Sequence, residues 1–119
     1  IGVNWSEALY KDKDRYSPVH FFNCLISHST FAGLKLQKIC IKECVVKDVD
    51  FRDSDLSGAD MSLSDFTDSL FIRTMLGKSD FTGASNYNIN ATLNDIKKAK
   101  FSLPEAVSLL YGLDIILEE

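Results

Sequence analysis

An apolar residue recurs at every fifth position through the middle of this sequence. Counting in steps of five from Phe51 in both directions gives thirteen consecutive positions, and every one of them is apolar. Because 45% of the chain is hydrophobic, an unbroken run of that length has a chance on the order of a few in 100,000. The thirteen positions are Phe21, Ile26, Phe31, Leu36, Ile41, Val46, Phe51, Leu56, Met61, Phe66, Phe71, Leu76 and Phe81.

A second signal lies two residues before each of these large apolar residues. Those positions are mostly small, with Leu34 and Ile39 as the exceptions. An α-helix repeats every 3.6 residues and a strand every two, so neither gives a period of five. The small positions are Val19, Cys24, Ser29, Cys44, Val49, Ser54, Ala59, Ser64, Ser69, Thr74, Ser79 and Ala84.

The period predicts a backbone that turns a corner after each unit, with one small and one large side chain directed inward. Four units would close a coil of about twenty residues, and successive coils would stack at the strand spacing of roughly 4.8 Å. Residues one coil apart would then form interior columns. The predicted columns are Phe21, Ile41, Met61 and Phe81; Ile26, Val46 and Phe66; Phe31, Phe51 and Phe71; and Leu36, Leu56 and Leu76.

Four segments, "SDLSG", "ADMSL", "SDFTD" and "SDFTG", resemble the Ala-Asp/Asn-Leu-x-x consensus of the pentapeptide repeat family. The resemblance implies an all-β fold, a right-handed quadrilateral β-helix. It covers residues 19–84 in unbroken phase, although residues 19–48 match only in phase and polarity.

The repeat phase also predicts the domain organisation. A repeat domain is expected over residues 1–101, with a charged loop at about 11–18, where the phase slips by one residue. Beyond Phe81 the count continues through Asn86, Ala91, Ile96 and Phe101, although the residue types change.

Residues 102–119 have a different character and predict a C-terminal cap. Ser102 is placed to begin a short α-helix, with Pro104 in its first turn, and Gly112 is placed to end it before a strand in "LDIIL". The open end of a stacked coil exposes its core, so a capping helix is expected there.

The tail also resembles those of the quinolone-resistance and microcin-immunity pentapeptide repeat proteins, and this resemblance implies a homodimer joined through the C-terminal ends. The candidate dimerisation residues are Leu103, Val107, Leu110, Tyr111, Leu113 and Ile115.

Acidic residues are concentrated in residues 48–68, which hold seven aspartates and one arginine, Arg52. The resemblance to the quinolone-resistance proteins implies a negatively charged rod that occupies a DNA-binding surface of DNA gyrase. The alternative is that each aspartate belongs to the repeat consensus and binds local backbone at a corner. The candidate partner-binding aspartates are Asp50, Asp55, Asp60, Asp65 and Asp80, of which Asp60 and Asp80 should stack.

Outward apolar residues offer a second candidate surface. Leu70, Ile72 and Met75 fall at outward positions, and Leu25 and Val45 should stack on another face. Adjacent exposed apolar residues mark a partner site in some proteins, but single ones are ordinary on any surface.

The sequence predicts a protein without enzymatic activity. It has no glycine-rich phosphate loop and no Cys-His or Ser-His-Asp spacing. Its two histidines, His20 and His28, are expected at the surface rather than in a metal or catalytic site. No catalytic, cofactor or metal residues are therefore assigned.

The charge and the cysteine content of the chain limit its possible partners and its cellular compartment. A net charge of −4 and a pI of 5.1 argue against direct nucleic-acid binding, and no apolar run is long enough to span a membrane. Because the chain begins at Ile1, the lack of a signal peptide adds little. Three cysteines without a metal or redox motif favour a cytoplasmic protein. Cys24 and Cys44 fall one coil apart, close enough for a disulfide, although two buried thiols are the favoured interpretation.

The leading functional hypothesis is therefore a protein-binding repeat protein that interacts with a type II topoisomerase, DNA gyrase, as a DNA mimic. The alternative is a scaffold or oligomerisation module with no DNA-related role.

Overall fold

The computed structural model describes residues 20–113 and 115, with the side chains of residues 111 and 112 excepted. Residues 20–101 wind into coils that pair in parallel with one another, residue by residue, at a separation of twenty. The rod measures 50 × 23 × 21 Å along its principal axes. The predicted loop at 11–18 lies outside the described residues.

Regular strand structure is confined to short segments of the coils. Strand β1 (His20–Phe22) pairs with β3 (Cys40–Lys42), β2 (Leu25–Ser27) with β4 (Val45–Lys47), and β5 (Asp80–Phe81) with β6 (Lys100–Phe101), all in parallel. Single-residue bridges such as that between Asp60 and Asp80 continue the same register between them.

Each coil presents four sides, which we number by the outward residues that pair from coil to coil. Side 1 carries His20, Cys40, Asp60, Asp80 and Lys100; side 2 carries Leu25, Val45, Asp65 and Ser85; side 3 carries Thr30, Asp50 and Leu70; and side 4 carries Lys35, Asp55, Met75 and Asp95.

A residue in the left-handed conformation stands at every corner. It follows the large interior residue by two positions in all thirteen units from Phe21 to Phe81. At one corner Gly33 has a φ of 74°, and the Leu34 N–H donates to the Phe31 carbonyl at 3.2 Å, as in a type II turn. Ten of these corner residues are not glycine and occupy a conformation that their Cβ disfavours. Pairing between coils must therefore hold most corners in place.

Some corners lack that direct bond and are closed by a side chain from the next coil. Ser64 Oγ accepts the Cys44 N–H at 3.1 Å and donates to the Ile41 carbonyl at 2.7 Å. The buried hydroxyl thus satisfies both ends of the open corner 41–44. Ser69 does the same for Val49 and Val46, and Asn94 does so for Thr74 and Phe71.

The predicted interior columns form the core. Twelve of the thirteen large residues are buried, and Phe21, in the first described coil, is partly buried. In the aromatic column the Phe51 ring stacks between Phe31 and Phe71, with ring centroids 5.3 and 5.0 Å away. One bulky side chain per unit thus fills the rod along its length.

The five-residue count, which the sequence continues through Asn86 and Ala91, is interrupted at these two positions. Asn86 is exposed and Ala91 is partly buried, whereas Tyr87 and Ile89 enter the core instead. Ile89 pairs with Phe71, two residues short of the usual separation, and the count is regained where Met75 pairs with Asp95. The backbone shifts because burying an aromatic and an aliphatic side chain is more favourable than burying an amide.

The predicted C-terminal α-helix is a 3₁₀ helix, Glu105–Leu113, and Gly112 lies within it instead of ending it. The Val107 N–H donates to the Pro104 carbonyl at 3.1 Å, three residues back. Ser102 Oγ accepts the Gly83 N–H at 2.8 Å, so this hydroxyl is taken up by the coil rather than by the helix start.

Leu109 packs against the core, which joins the helix to the last coil. Most of the predicted strand in "LDIIL" lies outside the described residues. No helix in the described part of the chain combines the length and the apolar character that crossing a membrane requires.

Candidate partner-binding surfaces

The outward aspartates have a local structural role. In Asp55, Asp60 and Asp65 one carboxylate oxygen accepts both the backbone N–H and the hydroxyl of the residue two positions on, at 3.0 and 2.6 Å. This local bonding is typical of aspartate at a turn. It supports the alternative drawn from the sequence, that the repeat needs aspartate at this position for its own corner.

The acidic segment forms a belt around the rod. Asp50, Asp55, Asp60 and Asp65 lie on sides 3, 4, 1 and 2 respectively, because four units complete one coil. Of the five candidate aspartates only Asp60 and Asp80 share a side, and they pair directly. Any single partner surface would therefore face two or three of these carboxylates rather than all five.

Two arginines neutralise part of the belt. The hydrogen-bonded Arg52 guanidinium, 2.7 Å from Asp50, lowers the pKa of that carboxyl. Arg73 contacts Asp53 at 2.7 Å from the next coil and lowers the pKa of Asp53. Arg73 was not a candidate from the sequence, where its only signal is its position twenty residues after Asp53.

Side 1 holds the stacked carboxylates between cations. The Thr82 hydroxyl lowers the pKa of Asp80, and Lys100 and Lys42 act in the same direction. Lys100 follows Asp80 on the same side, so the negative patch ends there. Like charges placed directly opposite each other repel, and these neighbours offset part of that cost.

Asp65 on side 2 accepts hydrogen bonds from two different coils. Its pKa is lowered first by the Thr67 hydroxyl and then by the Asn86 amide, which donates at 3.0 Å. Because the pKa is lowered in the folded state, ionised Asp65 stabilises the fold at pH values above its ordinary pKa of 3.8. This stabilisation is lost as the pH falls through the folded pKa.

We therefore expect Asp65→Asn, which keeps the acceptor oxygen, to lower the free energy of unfolding at neutral pH. The difference from the wild type should shrink in urea titrations as the pH falls from about 4 to about 2, because the wild-type carboxyl takes up a proton as the pH falls through its lowered pKa. Asp68→Asn at an exposed neighbouring position is the matched control and should show a smaller difference at neutral pH. A difference for Asp65→Asn that does not change with pH would contradict this assignment.

The predicted apolar surface divides between two sides. Leu70 on side 3 and Met75 on side 4 are 43% and 48% exposed, whereas Ile72 between them is partly buried. Leu93 is exposed to a similar degree. Its carbonyl accepts the Arg73 N–H at 2.8 Å, so Leu93 lies next to Arg73, which falls between Leu70 and Met75 in the sequence. Leu25 and Val45 pair on side 2 and are both exposed, as the column prediction expects.

An open cleft of about 470 Å³ lies where the coil is irregular. It is lined by residues 67–70 and 86–88. The sequence signal for it was the break in the repeat at "SNYNIN", which carried no prediction of a cleft. Among the described residues no three His, Cys, Asp or Glu side chains are grouped to hold a metal ion.

The candidate dimerisation residues lie at the C-terminal end and are largely exposed. Leu103 is 77% exposed, and Leu110, Leu113 and Ile115 are exposed as well, whereas Val107 is partly buried. The side chain of Tyr111 lies outside the described part of the structure.

A profile of the pentapeptide repeats matches eight copies within residues 44–83 of these coils. Residues 44–83 carry pentapeptide repeats. The coils before residue 44 continue the same pairing although their sequences fit the consensus only in phase. No curated protein sequence matches this chain significantly.

Solved structures share the pentapeptide repeat fold. A trypsin-treated variant of QnrB1, a plasmid-mediated fluoroquinolone resistance protein, has a TM-score of 0.58 and 16% identity, with 87% of this chain and 49% of that chain covered. A second trypsin-treated variant has a TM-score of 0.59 at the same identity, with 87% and 50% covered. The chain thus spans about half the length of these QnrB1 chains, and at this identity the likeness concerns the fold.

HetL, a pentapeptide repeat protein involved in heterocyst differentiation regulation in the cyanobacterium Nostoc, is 18% identical, with a TM-score of 0.34 over 82% of this chain and 44% of that chain.

Proposed function

We propose that this chain is a non-enzymatic, protein-binding pentapeptide repeat protein that docks on a DNA-binding surface of DNA gyrase as a DNA mimic. The observation that carries the proposal is a rod with a cross-section of 23 × 21 Å that has a belt of aspartates around one coil. The proposal includes a right-handed quadrilateral winding over residues 1–101 and a capping, dimer-forming segment over residues 102–119.

Electrostatic complementarity supports this partner class. Asp55, Asp60 and Asp65 are fixed by their own corner hydrogen bonds, so their charges are presented without loss of side-chain freedom on binding. A surface that binds DNA is basic and attracts such a rod over several ångströms, which raises the association rate more than the final affinity.

The test is a gyrase supercoiling assay with and without a fluoroquinolone. We expect the chain at micromolar concentration to inhibit supercoiling or to protect gyrase from the drug. Asp60→Asn with Asp80→Asn removes the stacked charges of side 1 while keeping the acceptor oxygens, and should weaken the effect about tenfold if one carboxylate pair contributes roughly 1.4 kcal/mol.

The matched control is Glu43→Gln with Glu105→Gln, which removes the same charge from exposed positions outside the five candidate aspartates and should leave the effect unchanged. No influence of the unaltered chain on gyrase would count against the proposal. Equal losses in both double variants would show that net charge, and not side 1, is responsible.

A second candidate function is a scaffold that assembles through its C-terminal end. The exposed leucines of residues 103–113 favour it, since three apolar side chains at one end of a rod fit an interface. Sedimentation analysis should then show a dimer. Leu113→Glu should weaken dimerisation at least tenfold, a change of about 1.4 kcal/mol, by placing a charge in the apolar contact.

Leu93→Glu is the control for this substitution, because Leu93 is similarly exposed but is not part of the C-terminal helix. A wild-type monomer at high concentration would exclude the dimer, and a dimer that Leu113→Glu leaves intact would place the interface elsewhere. A dimer without any effect on gyrase would favour the scaffold function over the DNA mimic.

A further inference from the structure

Cys24 and Cys44 occupy equivalent places in two successive coils. The strands on either side fix their register, because Phe22 pairs with Lys42 just before them and Leu25 pairs with Val45 just after them. The Val45 N–H also donates to the Cys24 carbonyl at 2.9 Å. The two backbones are therefore one interstrand spacing apart, roughly 4.8 Å, within the range that a disulfide bridges.

The two thiols differ in access. Cys24 is exposed, whereas Cys44 is 2% exposed, and both are unbonded. The Cys44 thiol donates to the Phe21 carbonyl at 3.3 Å, as Ser64 donates one coil later to Ile41. Burial raises the pKa of Cys44, and the adjacent Cys24 thiol adds to that shift.

We propose that Cys24 and Cys44 form a thiol oxidation site, at which hydrogen peroxide closes a disulfide between the first two described coils. The exposed Cys24 sulfur attacks the peroxide, is oxidised to a sulfenic acid and releases water. The Cys44 sulfur then attacks Cys24, the S–S bond forms and a second water leaves. Two thiols are oxidised and one peroxide is reduced, so no other reactant is needed.

The third cysteine is not part of this site. Cys40 occupies an outward position of side 1, where it pairs with His20 and Asp60 in the neighbouring coils. Its column holds no second cysteine, whereas the column of Cys44 does. The site is therefore selective, and its product adds a covalent bond between two coils that are otherwise held together by hydrogen bonds and by stacked apolar side chains such as Ile26 and Val46.

The experiment treats the full chain with a small excess of hydrogen peroxide, blocks free thiols with N-ethylmaleimide and maps the peptides by mass spectrometry. We expect a single linked pair, Cys24 with Cys44, and an alkylated Cys40, with the same result in Cys40→Ser. Neither Cys24→Ser nor Cys44→Ser should form a link. Serine at position 44 keeps the hydrogen bond that Ser64 makes at the equivalent place, so this variant should fold.

A second readout concerns the coil contact itself. The disulfide closes a loop of twenty residues, so oxidation should raise the Tm by about 10 °C in the wild type and in Cys40→Ser, but not in Cys24→Ser. Hydrogen exchange of the Val45 amide should slow at the same time. A link to Cys40, three alkylated thiols after treatment, or sulfinic acid at Cys24 without a link would overturn the proposal.

Discussion

Replacing Phe51 with alanine is expected to lower the free energy of unfolding by about 4 kcal/mol, since truncating a fully buried phenylalanine loses its burial and leaves a cavity. Phe51 has no exposed surface and stacks on two rings, those of Phe31 and Phe71, at 5.3 and 5.0 Å. Because these two rings belong to the coils before and after it, alanine at position 51 leaves a gap between them. Urea denaturation followed by circular dichroism measures the loss.

The control for this substitution is Phe22→Ala. Phe22 is also a phenylalanine, but its side chain is 61% exposed at an outward position. Its removal should change stability by less than about 0.5 kcal/mol, the usual limit for a surface change. If both variants lost the same stability, the aromatic column would not be the core of this molecule.

The second large effect is expected from Ser64→Ala. The substitution leaves the Cys44 N–H and the Ile41 carbonyl without the hydroxyl that joins them, at 3.1 and 2.7 Å, in a buried corner. Each buried polar group left unsatisfied costs about 1–3 kcal/mol, so we expect a total loss of about 3 kcal/mol, measured by urea denaturation.

Ser54→Ala provides the matched comparison. Ser54 is equally buried, but its hydroxyl only donates to the Phe51 carbonyl, which also accepts the Thr74 hydroxyl at 2.9 Å. Its loss leaves no group unsatisfied, so we expect a change of about 1 kcal/mol or less. A larger loss for Ser54→Ala than for Ser64→Ala would show that the open corner does not depend on its bridging serine.

The interior of the rod was predictable because the position of a residue within its five-residue unit indicates whether its side chain points inward or outward. From Ile26 to Phe81 every large residue of the five-residue pattern is buried. The regular count did not extend beyond Phe81 in this way, because Asn86 at the counted position is exposed and Tyr87 is buried instead. A periodic count assumes that all units have the same length. The chain departs from this count where burial of a neighbouring apolar side chain lowers the free energy more than burial of the residue at the counted position.

The candidate surfaces were less predictable than the core. The sequence showed Asp50, Asp55, Asp60 and Asp65 as one acidic stretch, whereas the coil distributes them over four sides. It also gave no indication that Arg73 would neutralise Asp53, because an exposed ion pair between coils leaves no pattern in hydrophobicity. Exposed ion pairs contribute little to stability, so the sequence pattern does not show which charged side chains meet. Their pairing follows from how the coils place them next to one another.

The sequence alone determined the period of five, the inward and outward positions, and which residues stack at a separation of twenty, because a repeated unit must bury the same two side chains each time. Only the tertiary structure decided how Ser64 and Asn94 close open corners, where the coil shifts to admit Tyr87 and Ile89, and that the C-terminal segment becomes a 3₁₀ helix. These features depend on competition between groups far apart in the chain for the same donors and the same core volume, and such competition exists only once the coils are stacked.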